Sequence, residues 1–382
     1  MAEKVLMKGN EALAESAMRA GCRFFFGYPI TPQTELAAYM AKKMPKIGGT
    51  YLQAESEIAA INMVYGASAC GARVMTSSSS PGISLKSEGI SYMAGADLPA
   101  VIINVQRGGP GLGSIQPSQS DYWQATRAMG HGDFRLIVYA PSTVQEMADY
   151  IYGAFDVADK YRVPVMILAD GMLGQMMEPV VLPEPRNVED LPKKPWACVG
   201  HNHERKHNIA NSLYLEAEIL DAINAKREER FRIIEQNEQR AESYRTEDAD
   251  IVVVAFGASA RIARSAVMAA REQGIKAGLI RPISLWPFPV DALEKCMGTA
   301  KAFLSVEMNT GQMVDDVRLA SNGRVPVDFY GRSGGVIPTP NEVLAKIVEL
   351  NGKAGPKEDI HTRFARFAEL AKIVELNGKA GE

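Results

Sequence analysis

Through residues 1–180 the chain repeats one pattern, a short unbroken apolar run followed by a stretch of helical periodicity. The runs are CRFFFGYP, ARVMTSSSS, LPAVIINVQR, DFRLIVYAP and VPVMILAD, and the helical stretches between them include AESEIAAINMVYGASACG and TVQEMADYIYGAFDVADKYR. A strand that is apolar at every position, rather than at every second one, is covered on both faces. Such strands alternating with helices form a parallel sheet with helices on either side. The fold class is α/β, and in these sheets the loops beyond the carboxyl ends of the strands carry the ligand-binding residues.

The alternation stops between Val181 and Glu247. LPEPRNVEDLPKKPW is rich in proline and charge and reads as a linker or surface strap, while NSLYLEAEILDAINAKREERFRIIEQNEQRAESYR predicts one or two exposed helices. The pattern resumes over 248–350 with ADIVVVAFGASARIARSAVMAAREQGIKAGLIRP, KAFLSVEMN and VPVDFYGR, which predict a second, smaller α/β domain. Residues 351–382 form a tail. The segment AKIVELNGKAG stands at 345–355 and again at 371–381; two identical copies do not make a solenoid, whose repeats are stacked and degenerate. A recent duplication or a cloning artefact fits better, and the second copy is assigned no function.

With 382 residues, 46% of them hydrophobic, the chain can bury a core large enough for two domains. Its net charge of −3 provides no basic field for nucleic acid or an anionic membrane. No run of about 18 apolar residues is present, so no transmembrane helix is expected. The N-terminal MAEKVLMKGNEALAESAMRAG reads as a strand and an amphipathic helix rather than a secretory signal, which predicts a cytoplasmic protein. Cys22, Cys70, Cys198 and Cys296 lack CxxC spacing. Reduced thiols are expected, without an iron–sulfur cluster or zinc site held by this chain alone.

Four loops carry candidate chemistry. In GYPITPQTE, prolines follow both Tyr28 and Thr31, so the segment leaving the strand is stiff and the Thr31 hydroxyl has little freedom. Thr31 could cap the next helix, whose first turn holds Glu35, or face a ligand, and the two roles can coexist. In YLQAESEIAAINMVYGA, Glu55 and Glu57 open an apolar helix. Either could complement the helix dipole, but Glu57 leads into a packed interior and needs a partner there. TSSSSPG, at 76–82, is a third sheet-end loop whose serines could bind an anion, line a polar site, or lie on the surface. In VIINVQRGGPGLG, Arg107 ends a strand and precedes several glycines. Its planar fork suits a carboxylate or phosphate, whereas the pattern is not the dinucleotide fingerprint. HNHERKH, with His201, His203 and His207, lacks a carboxylate or cysteine frame and reads as a solvated strap. His131 stands alone between glycines.

Together, Tyr28-Pro29-Ile30-Thr31-Pro32, Gln53-Ala54-Glu55-Ser56-Glu57 running into Val64-Tyr65-Gly66-Ala67, and Arg107-Gly108-Gly109-Pro110 resemble the α subunit of the 2-oxoacid:ferredoxin oxidoreductases. The resemblance spans nearly all of 1–350, including LIRPISLWPFP and VEMNTGQM, and is strongest to members acting on 3-methyl-2-oxobutanoate (2-oxoisovalerate). It implies a pyrimidine-type thiamine-diphosphate-binding fold followed by a transketolase C-terminal-like domain. It also implies roles. Glu57, chosen over Glu55 by its spacing to Val64, would hydrogen-bond the aminopyrimidine ring and favour the tautomer that activates the cofactor. Thr31 would reach the bound 2-oxoacid or its adduct, and Arg107 would pair with the substrate carboxylate. Tyr28, Pro29 and Ser79 would be further cofactor contacts.

The resemblance further implies partners. A β subunit would bind the diphosphate, Mg2+ and at least one [4Fe–4S] cluster, a γ subunit and a ferredoxin-like subunit would complete the set, and the whole would be a dimer of heteromers. The expected reaction is a 2-oxoacid with coenzyme A and oxidised ferredoxin giving acyl-CoA, carbon dioxide and reduced ferredoxin, in an anaerobic metabolism. A 2-oxoglutarate enzyme would need a second cation, for which Lys86 and Arg127 are available. Two alternatives from other classes are a non-catalytic scaffold and a nicotinamide-dependent dehydrogenase, the latter without a fingerprint to support it.

Overall fold

The structure, a computed structural model, describes residues 3–353. Its first sheet has seven strands in the spatial order Ser284–Trp286, Ile137–Tyr139, Val165–Asp170, Val101–Gln106, Val74–Ser78, Phe24–Gly27 and Thr50–Gln53. All pairings are parallel except that of Ser284–Trp286, which runs antiparallel to Ile137–Tyr139. Every residue of Val101–Gln106 and of Val165–Asp170 is buried. That is the physical origin of the unbroken apolar runs, because helices cover both faces.

The second sheet has the order Val327–Gly331, Ala302–Glu307, Ile251–Val254, Ala277–Pro282 and Ala241–Tyr244, the last antiparallel. Two elements depart from a reading of the chain in consecutive blocks. Ala241–Tyr244 lies in the stretch read as linker, yet it is an edge strand; its alternation of small and polar residues carries no apolar signal. Ser284–Trp286 follows a strand of the second sheet but completes the first, with Trp286 packed edge-on against Phe231 at 5.7 Å. One continuous core cluster consequently holds residues of both sheets, including Phe26, Ile102, Val252, Phe256 and Leu285.

The charged middle section forms a single helix, Ala217–Asn237, which buries only Arg227, Phe231 and Ile234. Near the amino end, Val5–Lys8 pairs antiparallel with Met177–Val180 beside helix Gly9–Arg19. Helix Pro340–Lys353 holds most of the first AKIVELNGKAG copy, and the second copy lies outside the described residues.

What matters for function is the alignment of four adjacent strands. Because Thr50–Gln53, Phe24–Gly27, Val74–Ser78 and Val101–Gln106 are parallel neighbours, their following loops emerge on one edge of the sheet. Glu57, Thr31, Ser79 and Arg107 stand just beyond those four strand ends.

Candidate functional site

The loop between Phe24–Gly27 and helix Thr34–Lys43 is held from its buried side. Asn10 Nδ2 donates to the Pro32 carbonyl at 2.9 Å, and Ser77 Oγ donates to Gln33 Oε1 at 2.7 Å. The outer residues Tyr28, Pro29 and Thr31 stay exposed. Thr31 does not cap the helix: Gln33 occupies the N-cap, without a side-chain cap hydrogen bond. The hydroxyl is thus left for another use. Glu35 in the first turn instead receives Lys8 Nζ, Asn10 Nδ2 and Gln175 Nε2.

Arg107 is 6% exposed and spans the glycine loop. Its Nη1 donates to the Thr31 carbonyl and its Nη2 to the Leu112 carbonyl, both at 3.0 Å, while Nε is buried without a partner. The loop folds tightly on itself: a Cβ at Gly113, where φ is +60°, would overlap the Gly108 carbonyl oxygen. That closure is what the glycine requires. Beneath it, the Arg107 amide donates to Ser80 Oγ at 3.1 Å, and both Ser80 Oγ and Asn104 Nδ2 donate to Asp121 Oδ2 at 2.6 and 2.9 Å. Burial pushes the Asp121 carboxyl above its ordinary value, opposed by those two hydrogen bonds.

Glu57 opens helix Glu57–Ala69 behind the N-cap Ser56, whose side chain accepts from the Ala59 amide at 3.2 Å. Glu57 is 6% exposed, whereas Glu55 is exposed. The Glu57 carboxylate leans over Gly82 in the first turn of helix Ser80–Gly95. A Cβ on Gly82 would lie 2.6 Å from Glu57 Oε1 and would overlap Ser78 Oγ.

The four serines separate into two kinds. Ser77 is tied to Gln33 and Ser80 to Asp121. Thr76 Oγ1, Ser78 Oγ and Ser79 Oγ are buried without a hydrogen-bond partner. Ser79 is the N-cap of helix Ser80–Gly95 but its side chain makes no cap bond: Pro81 has no amide proton, and the Gly82 amide donates to the Ser79 carbonyl at 2.7 Å. Buried hydroxyls are ordinarily satisfied, so this group of orphans stands out as a polar surface beside a buried carboxylate.

The two spare cations are both committed within the protein. Lys86 is fully buried, with Nζ donating to the Ser77 carbonyl at 3.0 Å, so it cannot reach out to a substrate's second carboxylate. Arg127 is held by Asp316 at 2.7 Å and by Asp315 at 3.8 Å. His131 is exposed, as are His203 and His207. Among the described residues, no group of three or more His, Cys, Asp or Glu side chains could hold a metal ion.

One part of the site escaped the sequence reading. A cleft of about 560 Å³ beside Arg107 is lined by Ser80, Pro110 and Asp121 and, from the second sheet's side, by Asn309, Thr310 and Gln312. Asn309 Nδ2 donates to the Gln119 carbonyl at 2.8 Å and Gln312 Nε2 to the Ser120 carbonyl at 2.8 Å, which fixes that wall. The polar turn NTGQ directly after a buried strand is the signal that could have found it.

Residues 15–252 match the family model described as "Pyruvate flavodoxin/ferredoxin oxidoreductase, thiamine diP-bdg", and residues 249–343 match "Pyruvate:ferredoxin oxidoreductase core domain II". The chain is 50% identical over 349 residues to ketoisovalerate oxidoreductase subunit VorB of Methanothermobacter marburgensis, which covers 91% of this chain and 98% of that protein. It is 36% identical to 2-oxoglutarate synthase subunit KorA of Methanothermobacter thermautotrophicus, over 92% and 100% of the two chains. The solved structure of 2-oxoglutarate:ferredoxin oxidoreductase from Magnetococcus marinus, with 2-oxoglutarate, coenzyme A and succinyl-CoA bound, has a TM-score of 0.83 at 28% identity. The match covers 92% of this chain, which spans 66% of that one.

Proposed function

The chain belongs to the pyruvate flavodoxin/ferredoxin oxidoreductase family, and from that membership we propose that it is the α subunit of a thiamine-diphosphate-dependent enzyme acting on 3-methyl-2-oxobutanoate. The reaction is oxidative decarboxylation with coenzyme A, giving the branched acyl-CoA, carbon dioxide and reduced ferredoxin. Identity of 50% to the ketoisovalerate subunit against 36% to the 2-oxoglutarate subunit favours the branched substrate. The commitment of Lys86 to Ser77 and of Arg127 to Asp316 supports the same choice.

The observation that carries the reading is the buried Glu57 carboxylate standing with the unpartnered Ser78 hydroxyl over the bare Cα of Gly82. These residues fit the pyrimidine half of thiamine diphosphate: an acceptor carboxylate and hydroxyls lacking partners, packed so closely over Gly82 that a side chain there would displace them. When bound, the cofactor supplies the electron sink that decarboxylation of a 2-oxoacid needs. Glu57 would hold and move a proton at the ring nitrogen, and Ser78 and Ser79 would complete the contacts of the ring's polar edge. Tyr28 and Pro29, on the exposed crest of their loop, would close over it.

Arg107 would pair with the substrate carboxylate, a charge-assisted contact that turns the 2-carbonyl toward the cofactor. Its bond to the Thr31 carbonyl ties the threonine loop to the arginine, so the Thr31 hydroxyl would reach the same substrate. A partner β subunit would hold the diphosphate, Mg2+ and a [4Fe–4S] cluster, with γ and ferredoxin-like subunits completing a dimer of heteromers in the cytoplasm. Among the described residues no helix is long and apolar enough to cross a membrane.

The test is viologen reduction by the assembled complex with 2-oxoisovalerate, 2-oxoglutarate and pyruvate, with and without coenzyme A. Preference for 2-oxoisovalerate is expected. Preference for 2-oxoglutarate would overturn the substrate, and no reduction by a cluster-loaded complex would point to a scaffold instead.

A further inference from the structure

Lys86 is the one fully buried lysine among the described residues. Lysine is seldom sealed away, since an ammonium sheds its hydration at high cost unless something compensates. Here the Ser77 carbonyl, at 3.0 Å, accepts one of its three protons. The other compensation is Glu57. Positions 82 and 86 of helix Ser80–Gly95 are one turn apart on the same face, and helical side chains lean toward the amino end. The lysine stem therefore runs back along Gly82, the residue over which Glu57 leans. No ion-pair contact closes the gap, and the two charges act on each other through the buried interior.

Few other charges intervene. Helix Glu57–Ala69 contributes Glu57 and, farther along, Tyr65; strands Val74–Ser78 and Val101–Gln106 contribute no ionisable side chain. Asp121 and Arg107 lie at the first turn of helix Ser80–Gly95, bound through Ser80. Burial pushes the Lys86 ammonium down to about 7, and the charge of Glu57 works in the opposite direction.

We propose that Lys86 is a positioning residue: its sealed ammonium, moored on the Ser77 carbonyl, attracts the Glu57 carboxylate and keeps it turned toward Gly82. This rests on the reading of Glu57 as the carboxylate that meets the cofactor. Loss of the Lys86 proton removes that attraction, and with it the force that orients the Glu57 carboxylate in a low-dielectric interior. The site is therefore most competent when Lys86 is charged.

The test compares Lys86→Met, which removes the charge and keeps the volume, with Lys86→Gln, which keeps a donor for Ser77. Each is made alone and on Glu57→Gln, in the full chain and in the assembled complex. Thiamine diphosphate affinity and turnover are followed from pH 6 to 9. Both Lys86 variants are expected to weaken affinity tenfold or more near pH 6.5, to abolish the fall in turnover that the natural chain shows as pH rises above 7, and to add nothing on Glu57→Gln. Unfolding provides a readout independent of the cofactor. The folded ammonium titrates near 7 rather than at its ordinary 10.5, so its burial penalty is fully present below pH 7 and fades as pH rises toward 10.5. The natural chain should gain stability across that window and Lys86→Met should not. An unmoved pH profile, effects that simply add to those of Glu57→Gln, or full rescue by Lys86→Gln overturns the proposal. Unchanged turnover in Glu57→Gln overturns the reading of Glu57 on which it stands.

Discussion

Arg107 donates through Nη1 to the carbonyl oxygen of Thr31 at 3.0 Å, joining residues 76 apart in sequence at the ends of two strands of one sheet. The guanidinium and the hydroxyl-bearing loop consequently form one unit. Under the proposed role, a substrate carboxylate docking on Arg107 would meet a group whose orientation is already set by two backbone carbonyls, Thr31 and Leu112.

Replacing Arg107 by alanine should chiefly raise the KM for 2-oxoisovalerate, by roughly 2–5 kcal/mol in transition-state binding if the pair is desolvated. Lysine keeps the charge but not the fork, so it should rescue only part of the loss. Steady-state kinetics of the assembled complex checks this. An effect confined to protein yield would mean that Arg107 only braces its loop.

Glu57→Gln removes the proton-carrying group while keeping its shape. Turnover should fall by roughly 10²- to 10⁴-fold, with assembly intact. Size-exclusion chromatography and single-turnover decarboxylation separate the two quantities. Turnover at the natural rate would remove Glu57 from the proposed role.

Gly82→Ala tests the space rather than the charge. Gly82 lies in a helix without a positive φ, so alanine is compatible with the backbone and improves helix propensity. The added methyl would crowd Glu57 Oε1 and Ser78 Oγ. The expected outcome is a folded chain that no longer binds thiamine diphosphate and has a lower Tm, because buried Ser78 Oγ and Glu57 Oε1 must shift to admit the methyl. Normal cofactor affinity by calorimetry would show that the ring lies elsewhere.

The serines should divide under alanine substitution. Ser77→Ala strands the Gln33 carbonyl oxygen and Ser80→Ala removes a bond from the buried Asp121 carboxyl, each costing roughly 1–3 kcal/mol of stability. Ser78→Ala and Ser79→Ala remove hydroxyls that already lack partners, so the chain should keep its stability while cofactor affinity falls. Denaturant titrations of the four variants distinguish the pairs, and equal destabilisation by all four would refute the division.

Much of this architecture can be read along the chain, where a single segment carries the signal. Ile251–Val254 and Val165–Asp170 are buried at every position and show it in composition. Thr50–Gln53 is an edge strand with an exposed or half-buried residue at each position, and nothing in TYLQ demands a strand. Ser284–Trp286 is legible as a short apolar stretch, but its membership of the first sheet is a matter of pairing.

The candidate site divides in the same way. The stiff GYPITP loop, the acidic start of an apolar helix, the serine run and the arginine at a strand end are properties of neighbouring residues, and the sequence alone places them at the carboxyl edge of a parallel sheet. Which serines keep free hydroxyls, why Glu57 is sealed while Glu55 is not, and why Lys86 faces inward were decided only by packing. The physical reason is that periodicity and turn chemistry act over a few residues. Burial, dielectric environment and hydrogen-bond satisfaction depend on which distant segments arrive alongside: Gln33 for Ser77, Asp121 for Ser80, and Glu57 over Gly82 for Lys86.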